Sequence, residues 1–211
     1  MKYHHAPCSP GWVKPWFPAF AVVFSLTATF AMSAPVYSAD PSGRLPEIGP
    51  APPFTLINQD GRRFSARDMR GRVAVVTFIF TTCSAACPVL TAKLVAVQRR
   101  LAAAKNEVIF AAVTVDPMND TPAVLRKYAQ SHSADLKYFA FLSGPPAEIE
   151  NLARRYKVYS RQAANSSIDH TFLTSIVDRQ GTIRMQYLGT RFDPGEFLAD
   201  VRSLLAEGTP Q

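Results

Sequence analysis

Two of the three cysteines, Cys83 and Cys87, lie four residues apart in the segment FIFTTCSAACP. The preceding run, residues 73–80, is continuously apolar and rich in β-branched residues, which predicts a central strand buried on both faces. Pro88 and the helical spacing of the apolar residues after it predict that a helix begins between the cysteines. The N-terminus of a helix favours thiolate over thiol. Two adjacent thiolates can hold a soft metal ion or close a disulfide, and the spacing alone leaves both uses open.

His170 is the candidate for the second half of this site. It ends the polar stretch 165–170 and precedes an apolar run, residues 171–177, that predicts a strand. We expect the start of that strand to lie beside the end of strand 73–80 in the same sheet, next to the cysteines. A neutral imidazole there could supply a third metal ligand. Asp169 could orient His170, although adjacent side chains need not face each other.

The segment DPMNDTP, residues 116–122, has a structural and a functional interpretation. Asp120 or Thr121 can cap a helix that starts at Pro122, which is the interpretation we favour. Alternatively, the segment forms a rim that contacts metal or a partner, with Met118 as the contact. His4, His5 and His132 have no ligand companions nearby in the sequence, so no role is assigned to them.

The remaining elements indicate an α/β domain. Strands are predicted at 108–115, 138–142, 171–177 and 182–187, with a small hairpin at 54–64. Helices are predicted after Pro122, after Pro146 and after Asp193, each with an apolar stripe. Strands that alternate with helices and end in a hairpin plus a helix predict a thioredoxin-like three-layer sandwich with an N-terminal β-hairpin.

The N-terminal part has the composition of an export signal or an anchor. Residues 16–34 carry no charge, follow Lys2 and Lys14, and at 1.5 Å per residue would span about 28 Å, near the thickness of a bilayer core. Residues 1–39 are therefore predicted to be a signal peptide or a transmembrane anchor, with the rest of the chain exported. Residues 40–53 form a proline-rich linker, and residues 54–211 form the domain. Cys8 precedes the apolar run and is interpreted as an unpaired cysteine of the leader.

The composition argues against a fold held by disulfides and against nucleic-acid binding. A framework of disulfides needs more than three cysteines, so the fold depends on its apolar core. The net charge is +7, but residues 40–211 carry 21 basic and 16 acidic residues, a bias too diffuse for nucleic-acid binding. The densest basic stretch, Arg62, Arg63, Arg67, Arg70 and Arg72, is interpreted as a solvated face.

Three separated motifs give the chain a resemblance to the SCO/SenC family of copper chaperones for cytochrome c oxidase assembly. They are FIFTTCSAACP at 78–88, VTVDPMNDTP at 113–122, and DHT at 169–171 with the following VDRQG at 177–181. The resemblance covers residues 54–206 and implies a thioredoxin-like fold that binds one copper ion through Cys83, Cys87 and His170. Ser84 departs from the family pattern, in which many members have proline after the first cysteine.

The leading hypothesis is therefore a protein that binds Cu(I) or Cu(II) and delivers it to the copper-receiving subunit of an oxidase. Thiolates suit Cu(I), whereas a structural zinc site normally has four ligands. This hypothesis requires a copper donor and a thiol reductant, both unidentified. It places the domain in the periplasm, either on the bacterial inner membrane through residues 16–34 or free if the leader is cleaved.

The alternative is an exported thiol–disulfide reductase that acts on the cysteines of the oxidase or on other proteins. Ordinary thioredoxin-like oxidoreductases have a C-x-x-C motif and a proline just before the facing strand. Here the spacing is one residue longer, and His170 stands where that proline would be expected. The sequence therefore favours a metallochaperone over an enzyme without excluding an oxidoreductase activity.

Overall fold

The computed structural model describes residues 45–162 and 168–208, with the backbone alone for 160–162 and 168–170. The strands are β1 Gly49–Pro50, β2 Thr55–Asn58, β3 Arg63–Ser65, β4 Val73–Ile79, β5 Val108–Thr114, β6 Phe139–Ser143, β7 Ser160–Gln162, β8 Ile168–His170, β9 Leu173–Val177 and β10 Thr182–Leu188. The α-helices are α1 Ala86–Arg100, α2 Pro122–Ser131, α3 Pro146–Arg155 and α4 Pro194–Ala206. Short 3₁₀ segments occupy Ala66–Met69 and Ala102–Glu107.

Eight of the described strands form one mixed sheet in the order β1-β10-β9-β4-β5-β6-β2-β3, while β7 and β8 pair separately. β4, β5 and β6 run parallel to one another, and β9 runs antiparallel to β4. Helices α1 and α2 make the crossovers between the parallel strands, as such strands require. The prediction of an α/β fold is confirmed.

Strand β4 explains why the apolar run around it is continuous. Its alternate side chains Val73, Val75 and Ile79 belong to one core cluster, and Ala74, Val76 and Phe78 belong to the other. Side chains from α1, α2 and α4 complete the first cluster, and side chains from α3 complete the second. The sheet is therefore covered by helices on both faces, which gives three layers.

Different strands and helices start and finish at the two ends of this sheet. We call one end of the sheet the cysteine end, where β4 and β5 finish and α1 and α2 begin. β9 also starts there, because Thr174 near its start pairs with Thr77 near the end of β4. The linker end is the opposite one, where β4, β5 and β6 start and α1, α2 and α4 finish. β1 pairs with the first residues of β10 at the linker end, so the N-terminal linker joins the domain there.

The structure differs from the sequence-based expectations at two places. Gly49 and Pro50 pair with β10, so the sheet begins inside the segment 40–53 that the sequence assigns to the linker. A two-residue strand of glycine and proline has no hydrophobic pattern that could reveal it. The β7–β8 pair was likewise not predicted, because its residues are polar and lack alternation.

No helix among the described residues is long and apolar enough to cross a membrane. The expectation of a signal peptide or anchor concerns residues 1–39, and its apolar run at 16–34 lies outside the described part of the chain.

Candidate metal centre

The turn between β4 and α1 brings the two cysteines together. The Cys83 N–H donates to the carbonyl of Phe80, and α1 begins at Ala86, between the cysteines as predicted. Cys87 is fully buried, whereas Cys83 is partly exposed. The backbone N–H of Cys87 donates to the Cys83 sulfur at 3.4 Å. The start of the helix therefore directs its unpaired N–H groups at one sulfur.

This geometry moves the pKa values of the two thiols in opposite directions. Burial raises the pKa of Cys83, but hydrogen bonds from the backbone of Cys87, Ala85 and Ala86 and from the Cys87 thiol outweigh it, so the pKa falls below its ordinary value. Burial raises the pKa of Cys87 to about 12, and the neighbouring charges of Cys83 and Asp120 act in the same direction. Cys83 is thus the more acidic of the two thiols, and Cys87 must lose a proton before it can bind a metal.

Asp120 lies fully buried beneath the cysteine turn. Its carboxylate accepts hydrogen bonds from the backbone N–H of Thr81 at 3.1 Å, from the Thr81 hydroxyl and from the Thr114 hydroxyl. Burial raises the pKa of Asp120, and the Thr114 and Thr81 hydrogen bonds counteract this increase. Asp120 therefore ties the end of β5 to the residues that precede Cys83.

The structure confirms the capping interpretation of segment 116–122 and assigns the cap to Thr121. Thr121 is the N-cap of α2, and its side chain accepts from the Val124 N–H. Asp120 instead supports the cysteine turn, a role that the sequence analysis did not assign. Met118 is 76% exposed. The signal that could have found Asp120 is a carboxylate placed directly after a buried strand, at the edge where the cysteines were expected.

Tyr128 is a second residue that the sequence did not single out. Sequence spacing placed it in the apolar stripe of α2, and its hydroxyl hydrogen-bonds the Thr91 hydroxyl of α1 at 3.0 Å. Burial raises its pKa above the usual range, and the charges of Cys87, Cys83 and Asp120 add to this effect. Tyr128 therefore lies near the thiol pair, and its ring is tilted by 37° against the His132 ring with centroids 4.4 Å apart.

The backbone of His170 ends β8, where it pairs with Ser160. The next residue, Thr171, donates its N–H to the Tyr159 carbonyl, and Phe172 then packs against the same core cluster as Cys83. The chain therefore runs from His170 into the start of β9 at the cysteine end. The side chains of His170 and Asp169 lie outside the described part of the structure, as do His4, His5 and Cys8. The assignment of His170 as a ligand remains a prediction.

Within the described residues there is no group of three or more His, Cys, Asp or Glu side chains that could hold a metal ion. Cys83 and Cys87 together supply two soft donors, one of them partly open to solvent. A pair of thiolates with an accessible side suits a soft ion that is bound and released better than a closed structural site.

Comparison with known proteins decides the family. The sequence matches the SCO1/SenC family over residues 46–206. The chain belongs to the SCO1/SenC family. A SCO1 protein homolog of Bacillus subtilis is 32% identical over 155 residues, which cover 72% of this chain and 80% of that protein.

Solved structures of SCO proteins agree with this assignment. ScoI of Bradyrhizobium japonicum, solved with copper bound, superposes with a TM-score of 0.64 at 28% identity and covers 73% of this chain and 98% of that one. BsSco, described as a cytochrome c oxidase assembly protein with a disulfide switch, gives a TM-score of 0.68 at 29% identity and covers 76% and 97%. Homologous SCO structures thus contain copper, and the family is linked to copper assembly of cytochrome c oxidase.

Proposed function

We propose that this chain binds one copper ion through Cys83, Cys87 and His170 and delivers it to the copper-receiving subunit of a cytochrome c oxidase. The observation that carries the proposal is the thiol pair at the start of α1, with a partly exposed Cys83 of lowered pKa beside a buried Cys87. The copper-bound ScoI structure of the same family supports copper as the metal.

The open side of Cys83 gives the delivery step a physical basis. A metal held by few ligands, with one sulfur accessible, can accept a donor atom from a partner before it leaves. The pKa of about 12 for Cys87 aids release, because a proton that returns to this sulfur competes with the metal. Return of a proton to Cys87 therefore favours release of the metal.

The proposal includes a location. We infer that residues 16–34 attach the chain to the bacterial inner membrane, with the domain in the periplasm, or that they direct its export and are removed. The lysines before this run and the absence of charge within it support both versions. Fractionation of cells together with N-terminal sequencing of the mature protein distinguishes them.

The copper proposal is tested by titrating the reduced full chain in detergent with Cu(I) against a competing chelator. Loss of a group that merely orients a metal ligand costs about 10–100-fold in affinity. We expect His170→Ala to weaken Cu(I) binding by at least that factor, because it removes a donor atom. His132→Ala is the matched control and should leave the affinity unchanged. Equal affinity of His170→Ala and the wild type would refute the ligand assignment.

A second candidate function, reduction of disulfides, is favoured by the asymmetry of the two thiols. The Cys83 thiolate would attack a disulfide of the partner, which forms a mixed disulfide and releases one thiolate. Cys87, after losing its proton, would then attack the Cys83 sulfur and release the second thiolate. The partner gains two electrons and Cys83–Cys87 becomes a disulfide. Metal content after mild purification separates the candidates, since a dedicated reductase would be isolated without copper.

A further inference from the structure

Lys93 is a charged side chain on α1 that the proposed copper site does not use. It is half-buried, and its ammonium group donates to the carbonyls of Thr190 at 2.7 Å and of Phe192 at 3.0 Å. The same group lies 5.1 Å from the centre of the Phe192 ring. The ion pairs between described residues do not include Lys93. Two backbone carbonyls and an aromatic ring therefore accommodate its positive charge.

Both carbonyls belong to the loop that joins β10 to α4, residues 189–193, which we call the β10–α4 loop. The loop turns at Gly189, whose φ of +78° lies in the left-handed region that favours glycine. Near its other end the loop is anchored by Phe192, whose ring packs against that of Phe197 with centroids 5.0 Å apart. Lys93 therefore ties the segment between the turn and the aromatic anchor to α1.

The β10–α4 loop is also bonded to the start of β9. The Gly189 N–H donates to the Phe172 carbonyl at 2.7 Å, and the next residue along the loop supplies one of the carbonyls that Lys93 holds. Phe172 lies two residues after His170 in the chain. A short path of hydrogen bonds and peptide units therefore leads from Lys93 to the backbone beside His170.

Lys93 lies on the same helix as the buried thiol. Cys87 and Lys93 are six residues apart in α1, which corresponds to a rise of about 9 Å. Helical side chains lean toward the N-terminus of their helix, so the stem of Lys93 runs toward the cysteine end. Cys83 and Phe172 both pack against one core cluster there. The contact made by Lys93 thus joins the helix that carries Cys87 to the segment that follows His170.

We propose that Lys93 is a positioning residue of the copper site, because it holds the β10–α4 loop on α1 and thereby fixes the start of β9, next to His170, relative to Cys87. The proposal rests on the proposed copper function. Hydrogen bonds from a charged donor are stronger than neutral ones, and Lys93 makes two. Its ammonium group has no lone pair for a metal, so it acts through the loop. A ligand on a segment that can shift is competent for only part of the time, which lowers the apparent affinity by that fraction.

The first test is a double-mutant cycle, measured by Cu(I) titration of the reduced full chain in detergent against a competing chelator. Lys93→Met keeps an apolar stem and removes the ammonium group. We expect about tenfold weaker binding, the lower end of the loss for groups that orient a metal ligand. In the His170→Ala background the same substitution should have no further effect, because the ligand that it positions is gone. An unchanged affinity of Lys93→Met, or an equal loss in both backgrounds, would overturn the proposal.

Three comparison variants separate positioning from charge and from stability. Lys93→Arg keeps a charged donor and should bind Cu(I) more tightly than Lys93→Met. Lys127→Met removes the same charge from an exposed position on α2 and should bind as the wild type does. Ile149→Val shortens a buried side chain of the other core cluster, which lowers stability without contact to the loop, so its affinity should not change. A loss in either control as large as that in Lys93→Met would contradict a positioning role.

Hydrogen–deuterium exchange of the copper-free full chain, followed by mass spectrometry, tests the contact without any metal. The amides of Gly189 and Thr171 donate to the carbonyls of Phe172 and Tyr159. In Lys93→Met they should exchange about tenfold faster, since the start of β9 opens more easily, while the amides of the central strand β5 should keep their rates. Equal exchange of the two amides in Lys93→Met and the wild type would overturn the proposal.

Failure of the copper function can be distinguished from failure of this proposal. If the wild type binds no Cu(I), or if His170→Ala binds as tightly as the wild type, the copper assignment is wrong and the role of Lys93 in copper binding is wrong with it. If His170→Ala weakens binding but Lys93→Met does not, the copper site is supported and the positioning role alone is refuted.

Discussion

At the scale of single residues, the candidate site contains two sulfurs that differ in pKa and burial although they lie one helical turn apart. Cys83 receives hydrogen bonds from N–H groups at the start of α1, whereas Cys87 is enclosed by the core. The difference arises from local backbone geometry and burial. It makes Cys83 the more accessible and more acidic thiol of the pair.

This asymmetry predicts the pH dependence of alkylation. A lowered pKa means that the thiolate is present at lower pH, so in Cys87→Ser the remaining Cys83 should react with iodoacetamide with a midpoint below that of an ordinary thiol. In Cys83→Ser the remaining Cys87 should react very slowly at pH 8, because burial, the largest cause of its raised pKa, is unchanged. Reaction rates between pH 5 and 10 provide the measurement. Superimposable profiles for the two variants would contradict the assignment of roles.

Asp120 yields a prediction about both stability and reactivity. Asp120→Ala leaves the Thr81 N–H and the hydroxyls of Thr81 and Thr114 without their acceptor, which should cost roughly 2–4 kcal/mol in the free energy of unfolding. Asp120→Asn keeps one oxygen acceptor and should cost less. It also removes a negative charge that raises the pKa of Cys87, so this pKa should fall.

Urea unfolding and the alkylation assay in a Cys83→Ser background measure the two effects. Asp116→Asn removes a charge from the same loop but leaves the Thr81 and Thr114 hydrogen bonds intact, so it is the control. If Asp120→Ala and Asp116→Asn had equal stabilities, Asp120 would not be the support of the cysteine turn.

At the scale of elements, the helices that cover the sheet are fixed by capping as well as by packing. The start of α4 shows this most clearly, because the Asp193 carboxylate accepts from the N–H groups of Gly195 and Glu196 at 2.7 and 2.9 Å. Pro194 follows at a position where a helix needs no N–H donor. Behind the cap, Phe197, Leu198 and Val201 are buried in the core cluster that also contains Cys87.

We therefore expect Asp193→Ala to destabilise the domain by about 1 kcal/mol, the usual cost of losing an N-cap side chain. Urea denaturation followed by circular dichroism measures this change. Glu150→Ala serves as the comparison, since Glu150 is exposed and its nearest contact to Arg154 is 3.8 Å. A surface pair of this kind contributes little. The cap would be unimportant if both variants unfolded at the same urea concentration.

At the scale of the whole molecule, one buried side chain joins parts of the chain that are far apart in sequence. Arg184 connects Leu45 at the start of the domain, the turn at Asp178 and the end of α4 at Glu207. It thereby fixes the linker to the end of the sheet opposite the thiols. The orientation of the thiol pair relative to the linker residues at Leu45 is thus a property of the tertiary fold.

Replacement of Arg184 should lower the free energy of unfolding of the domain. Arg184→Met leaves two partly buried carboxylates without their cation, and loss of one partner of a buried ion pair typically costs about 3–5 kcal/mol. The triple variant Arg184→Met/Asp178→Asn/Glu207→Gln removes the unpaired charges and should regain part of that loss. Thermal unfolding provides the measurement. A melting temperature of Arg184→Met equal to that of the exposed-site control Arg202→Met would disprove the role of Arg184.

The sequence alone determined the class of the fold and the position of the thiol pair. The continuous apolar runs that became β4 and β5 predicted strands covered on both faces, and the spacing of apolar residues after Pro88 predicted a helix with one buried face. Together they fix that Cys83 and Cys87 lie where a strand ends and a helix starts. The motifs around them identified the family.

What only the tertiary structure decided is which groups meet across large distances in sequence. Asp120 lies 39 residues from Thr81, and its fit as a cap for α2 concealed its contact with the cysteine turn. Tyr128 has the spacing of a core residue, and nothing in that spacing shows that its hydroxyl faces Thr91. β1 has no hydrophobic pattern, so its place in the sheet follows from pairing with β10 alone. Sequence periodicity reports which face of an element is buried, whereas the partner of a buried polar group depends on how the elements pack.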